Sequence, residues 1–248
     1  MTVASGAIGL LLAVALCALV HVTVMAFAGR ALGVALDELS FGLGPRLLRM
    51  GRVSVRLLPV GGAVRFQGAG ATPPTDDTMP ADEAMPADDA MSADETMPAD
   101  VEPQQLEAQP LWAQLFIGAS GCLALIALAS SLLGGMAGVQ ALAAGFVNLA
   151  SGALSPLHSA QALLARVDGA AHALPFHTLL GLTAATTAAL NLLPLPGANG
   201  GYLLSALGRS TGLSKHWPAS FTQILLLAYI ALAASWLVAA AVYLGNGV

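Results

Sequence analysis

His21 and Met25, in the stretch HVTVM, are the first residues of this chain whose types and spacing could do chemistry. Side chains at i and i+4 leave a helix on one face, so an imidazole and a thioether there can share an ion. A catalytic zinc needs about three protein ligands and one open position for water. A thioether is soft and neutral, a poor match for Zn²⁺. It suits Cu(I) better, but two donors at one spacing make a weak site of either kind. Val22, between them, can carry no proton. His158, His172, His177 and His216 lie far along the chain. Cys17 and Cys122 fall in apolar runs and form no Cys-x-x-Cys pair, so they read as small buried hydrophobes.

The elements that must position these residues are membrane elements. The chain has 248 residues, 56% hydrophobic and 9% charged, against roughly 25% charged in soluble domains. Its mean hydropathy is +0.76. Residues 6–28 carry no formal charge and exceed the about 20 residues a bilayer span needs. No Lys or Arg precedes them and nothing marks a cleavage point, so they read as a retained helix rather than a secretory signal. Further apolar runs cover 111–136, 174–195 and 221–244, with Trp112, Tyr229, Trp236 and Tyr243 as interfacial aromatics. Residues 137–154 are apolar too. Spanning there would turn Arg209 and Lys215 outward, so the stretch reads as a re-entrant or interfacial helix bounded by Gly134, Gly135 and Gly152.

The net charge of −5 conceals a division. Eleven of fourteen acidic residues lie between Asp76 and Glu107, and the rest of the chain has nine Lys/Arg against three acids. Six of the nine, Arg30, Arg46, Arg49, Arg52, Arg56 and Arg65, follow the first span, which makes that segment cytoplasmic. Its second half alternates from Val53 to Leu58. A turn at Pro59, Gly61 and Gly62 then leads to Ala63–Phe66, which predicts a short β-hairpin. Hexamers starting at Met79, Met85, Met91 and Met97 dominate an acidic, proline-rich insert without aromatics, which is expected to be disordered. It either folds back on the basic hairpin or solvates its loop, and charge runs usually do the latter. The expected organisation is residues 1–70 as first helix and re-entrant hairpin, 71–110 as linker, and 111–248 as the remaining core. The fold class is an all-α integral membrane bundle of about four transmembrane helices, with a short membrane-associated β-hairpin on the cytoplasmic side and both termini outside.

Four segments in order carry a resemblance. HVTVM is followed by AFAGRALGVALDELSFGLGPRLLRM and, at 53–66, VSVRLLPVGGAVRF. LWAQLFIGASGCLAL starts at Leu111, SPLHSAQALL at Ser155 and NLLPLPGANGGYLL at Asn191. Together these resemble the site-2 proteases, intramembrane zinc metalloproteases, in a minimal form without a PDZ-like domain. In that family His-Glu-x-x-His supplies two zinc ligands and the base, and Asp-Gly-Gly supplies the third ligand. The resemblance makes His21, Val22, Met25 and Asn199 the corresponding positions, and only His21 keeps its type. Loss of the base removes a contribution of about 10²–10⁴-fold, and loss of two ligands removes the metal. No catalytic residue is intact, and no metal or cofactor is expected. Zinc would enter only if substitute ligands such as His158 completed a site. His21 then reads as an inherited polar residue bonded toward Thr23, Asn191 or Asn199.

The resemblance also implies a peptide-binding surface. Val60, Gly61 and Gly62 match the hairpin thought to pair with an unwound substrate, and Asn191, Pro194 and Pro196 match the broken helix beside it. The leading expectation is a catalytically inactive pseudoprotease that binds or scaffolds a transmembrane helix or membrane partner. Alternatives are an active intramembrane metalloprotease with substitute ligands, and a membrane assembly or transport subunit reusing the fold. The expected partners are the lipid bilayer and a membrane protein, not nucleic acid, and the expected location is a bacterial inner membrane.

Overall fold

The computed structural model describes residues 3–66, 105–213 and 219–246. The acidic hexamers, Lys215 and His216 lie outside the described residues. Seven helices and one hairpin follow in order: α1 (Val3–Ala31), β1 (Leu36–Met50), β2 (Val53–Phe66), a 3₁₀ turn (Leu106–Ala108), α2 (Leu111–Leu133), α3 (Gly135–Leu154), α4 (Ser159–Ala173), α5 (Phe176–Leu192), α6 (Asn199–Ser210) and α7 (Ala219–Gly245).

Among the described residues, four helices are long and apolar enough to cross a membrane: Gly6–Ala31, Leu111–Leu133, Gly135–Leu154 and Phe221–Gly245. The number matches the expectation, but the membership differs. Residues 135–154 form one unbroken helix of 20 residues, whereas α5 has only 17. The apolar run at 174–195 overstated that helix, because Pro194 and Pro196 cannot continue it and α5 stops at Leu192.

Short as it is, α5 is the centre of the bundle. Leu179, Gly181, Ala184, Ala185, Ala188 and Ala189 are buried, and α5 packs against α1, α2 and α3. Cys17 of α1 and Leu125 and Ala129 of α2 share a core with Ala184, Ala185 and Ala188. Side chains this small let helix backbones approach closely, which is how helices gain packing energy where lipid removes the hydrophobic drive between them. By contrast α7 is peripheral. It is tied to α3 by Trp236 Nε1 donating to the Leu149 carbonyl (3.2 Å) and Ser235 Oγ to that of Ala153 (2.6 Å).

The hairpin is longer than its alternation suggested, and its turn lies elsewhere. The chain reverses at Gly51-Arg52, where Gly51 has φ +59°, and 53–66 is one continuous strand. Leu43 faces Leu58 while Phe41 faces Gly62, so four steps on β2 oppose two on β1. The surplus, Pro59–Gly61, is a bulge rather than a turn, a place where a proline without an N–H does no harm. Both strands bend, so Phe41 pairs with Val55 as well as Gly62. Residues 36–41 therefore lie between 53–55 and 62–66.

One carboxylate knots this sheet together. Ser54 Oγ donates to Glu38 Oε1 at 2.8 Å, with Arg46 and Arg65 at 3.6 and 3.9 Å. The Ser54 hydrogen bond, and then the nearby arginines, hold the Glu38 carboxyl below its usual range. A depressed value means the contribution is present at neutral pH and is lost as pH falls through the folded-state value. Glu38→Gln should cost the hairpin about 1 kcal/mol, the low end for a partly solvated bond to a charge. Backbone amide exchange in 38–41 and 53–55 should then quicken about fivefold at pH 7 and lose its acid dependence; unchanged exchange would remove Glu38 from this role.

Candidate functional site

His21 lies deep in α1, 6% exposed, and Val22 beside it is 1% exposed. Met25 sits one turn on, as the helical repeat requires. The third member arrives from the other end of the chain. After Leu192 the backbone turns through Pro194 and Pro196, and α6 begins at Asn199. A Cβ on Gly200 would overlap the carbonyl oxygens of Leu192 and Leu193, and one on Gly201 would overlap that of Leu195. The glycine pair therefore lets the start of α6 fold tightly under the turn, and this presses Asn199 toward α1.

There the amide is surrounded by acceptors. Asn199 Nδ2 donates to the Gly118 carbonyl at 2.8 Å, to Met25 Sδ at 3.1 Å, and lies 3.3 Å from His21 Nε2. Three electron-pair donors meeting at one atom also orient the amide, because Oδ1 in that place would face lone pairs. If Nε2 accepts, the ring proton is on Nδ1, which is buried. Nδ1 rests against α2, and a Cβ on Gly121 would fall 2.6 Å from it.

Zinc does not fit this set. The ring could serve, but the thioether is a poor ligand and the carboxamide contributes no charge. The centre of the set is filled by an N–H donor. Val22, in the place of a base, is packed on β2: a Cβ on Gly62 would lie 2.8 Å from its Cγ1. Among the described residues no three side chains of His, Cys, Asp or Glu gather to hold a metal.

The structure thus joins His21, Met25 and Asn199, sets Val22 against β2, and of the partners expected for His21 it selects Asn199. Thr23 is exposed. Asn191 instead donates to the Thr187 carbonyl of its own helix at 2.9 Å. His158 is exposed at the start of α4. His172 packs on Gly6, fifteen residues before His21 and so roughly 22 Å away along α1.

A cavity of about 410 Å³ opens beside the amide. Met25, Asn199, Pro196, Tyr202, Val64 and Phe66 are among its lining residues, and Phe221 and Leu225 of α7 close another side. Gly62 pairs with Phe41 at the sheet. Val60 is 37% exposed and Pro194 is exposed. Sequence reading missed Tyr202, whose buried hydroxyl has no partner among the described residues and whose ring packs on Gly118. Burial pushes its phenol up. Its spacing of three from Asn199 on one helix was the available signal. Gly118 was missed as well, since a carbonyl acceptor leaves no mark on residue type.

A protein-family model, peptidase family M50, matches residues 9–236. No curated protein and no solved structure matches the chain. The match takes in most of α1, the hairpin, the helices that carry the amide site and most of α7. The chain belongs to peptidase family M50, the site-2 protease family.

Proposed function

We propose that this chain is a non-cleaving member of its family, a pseudoprotease that holds a segment of a membrane protein in the cavity beside Asn199. The observation that carries the reading is the Asn199 amide, which donates where relatives would present a carboxylate to a cation. Val22 adds an independent loss, because its side chain can accept no proton, and general-base help of that kind contributes about 10²–10⁴-fold.

The binding half of the proposal rests on the sheet edge. Among the described residues, 62–66 pairs only with 36–41, and Val64 and Phe66 of this segment line the cavity. An extended guest strand would complete the edge by main-chain hydrogen bonds, with Val60, Gly61 and Gly62 beginning the docking face and Pro194 and Pro196 bordering it. The bilayer is the other partner. The arginine-rich hairpin favours the cytoplasmic side of a bacterial inner membrane, with both termini outside.

A photoreactive residue at Val64 tests this in cells. It should cross-link a single-span membrane protein of undiminished length, whereas one at exposed Leu47 should not. Zinc at one ion per chain, with shortened partners that regain full length in His21→Ala, would overturn the proposal.

A further inference from the structure

The sheet edge at 62–66 has two unlike faces. Gly62 pairs with Phe41, Val64 with Leu39 and Phe66 with Leu36, while Ala63 pairs with Ser40 and Arg65 with Glu38. Paired residues point the same way, and successive ones alternate. The even residues face the bundle. Gly62 lies on Val22, and Val64 and Phe66 line the cavity, where Phe66 also packs with Ala28, Val34 and Ile117. The odd residues face away, and both Ala63 and Arg65 are exposed.

That outer face is basic. Arg46 and Arg65 lie 3.6 and 3.9 Å from Glu38, and Arg56 Nε donates to Ser40 Oγ at 3.0 Å. Three guanidinium groups therefore share the Glu38 carboxylate. With Asp37 counted as well, residues 30–66 hold six arginines against two acids. A strand added at this edge would run about 4.8 Å from 62–66 and alternate in step with it. Its residues opposite Val64 and Phe66 would enter the apolar cavity of about 410 Å³. The residue between them would stand beside Arg65. A helix with its side chains is about 10–12 Å across, so a single turn would already fill that space, whereas two side chains from a strand fit it.

We infer that this edge selects an extended segment with the pattern apolar–acid–apolar. Two large apolar side chains enter the cavity, and the aspartate or glutamate between them pairs with Arg65. The pattern reads the same in both directions, so parallel and antiparallel addition satisfy it equally. The inference rests on the strand addition proposed above and supplies the chemistry of the guest.

The test uses the full chain in detergent, with empty micelles as the blank, and follows fluorescent heptapeptides by anisotropy at low salt. A Leu-Glu-Leu centre should bind about fivefold more tightly than Leu-Lys-Leu, and at least about tenfold more tightly than Ala-Glu-Ala. Leu-Leu-Glu has the first peptide's composition but breaks the alternation, and should lose about fivefold. Arg65→Glu should turn the charge preference toward Leu-Lys-Leu, and Arg65→Gln should abolish it. The second change is mild and at an exposed site, so it decides even if the first disturbs the sheet. Leu225→Trp narrows the cavity and should erase the advantage of leucine over alanine. Equal binding of the glutamate and lysine peptides, or a preference that persists in Arg65→Gln, would overturn the inference and leave strand addition standing. Binding by none of the peptides would overturn both. Binding that appears only after residues 74–103 are deleted would assign the edge to the chain's own insert and overturn the inference as well.

Discussion

Met25→His combined with Asn199→Asp should bring zinc into this protein at one ion per chain, from a content near zero. The site needs only a change of donors, because its geometry already exists. Asn199 Nδ2 stands 3.1 Å from Met25 Sδ and 3.3 Å from His21 Nε2, so three side chains converge before any ion is added. An aspartate at 199 turns the central N–H donor into a carboxylate facing the same point, and an imidazole at 25 replaces the soft thioether. Aspartate alone would aim its charge at the Gly118 carbonyl and the His21 lone pair, so Asn199→Asp by itself should destabilise the chain. Zinc restores the balance. Cleavage by this double variant should be slow, and adding Val22→Glu should raise it by about 10²–10⁴-fold. Metal content of the purified double variant checks the first step, and cleavage of a fluorescent transmembrane reporter checks the second. A double variant that stays metal-free while folded would show that the convergence cannot contract onto an ion.

Gly200→Ala should be the most damaging single substitution tested, costing about 3 kcal/mol or more. The new Cβ would overlap two backbone carbonyls, those of Leu192 and Leu193, and neither can move without displacing the end of α5 or the Pro194–Pro196 turn. Overpacking against side chains is relieved by a rotamer change; overpacking against backbone is not. Since Gly200 adjoins Asn199, the displacement also draws the amide away from His21. Gly169→Ala is the matched control. Nothing lies within 4 Å of its added Cβ, and in mid-helix an alanine should be neutral or stabilising by roughly 0.5–1 kcal/mol. Thermal unfolding in detergent should separate the two. Equal melting temperatures would mean that the α5–α6 turn gives way more easily than its contacts suggest.

Much of the chain was legible because the bilayer simplifies the reading. Apolar runs of span length mark α1, α2 and α7 with little ambiguity, since a charged residue is expensive at those depths. The same rule misjudged its margins. Hydropathy cannot distinguish an apolar helix from apolar chain that prolines keep out of a helix, so 174–195 read as longer than α5. Alternation located β2 but misplaced the reversal. Pro59, Gly61 and Gly62 look like a turn, yet Gly51 takes the positive φ, and strands bent across each other put a bulge where the turn was expected. The hexamers between Asp76 and Glu107 were read from composition alone and lie outside the described residues.

By itself, the sequence determined the family, the order of the elements and the types of the donors. Val22, Met25 and Asn199 differ in type from the residues the family resemblance would place there, and ligand softness and proton transfer are properties of residue type. What only the tertiary structure decided is which atoms meet. Packing of small residues on α1, α2 and α5 brings Gly121 against His21, and the glycine pair after Asn199 seats its amide on the Gly118 carbonyl. Spacing along one helix reveals neighbours on that helix. Convergence between helices depends on their approach, and that is a property of the packed bundle rather than of any one segment.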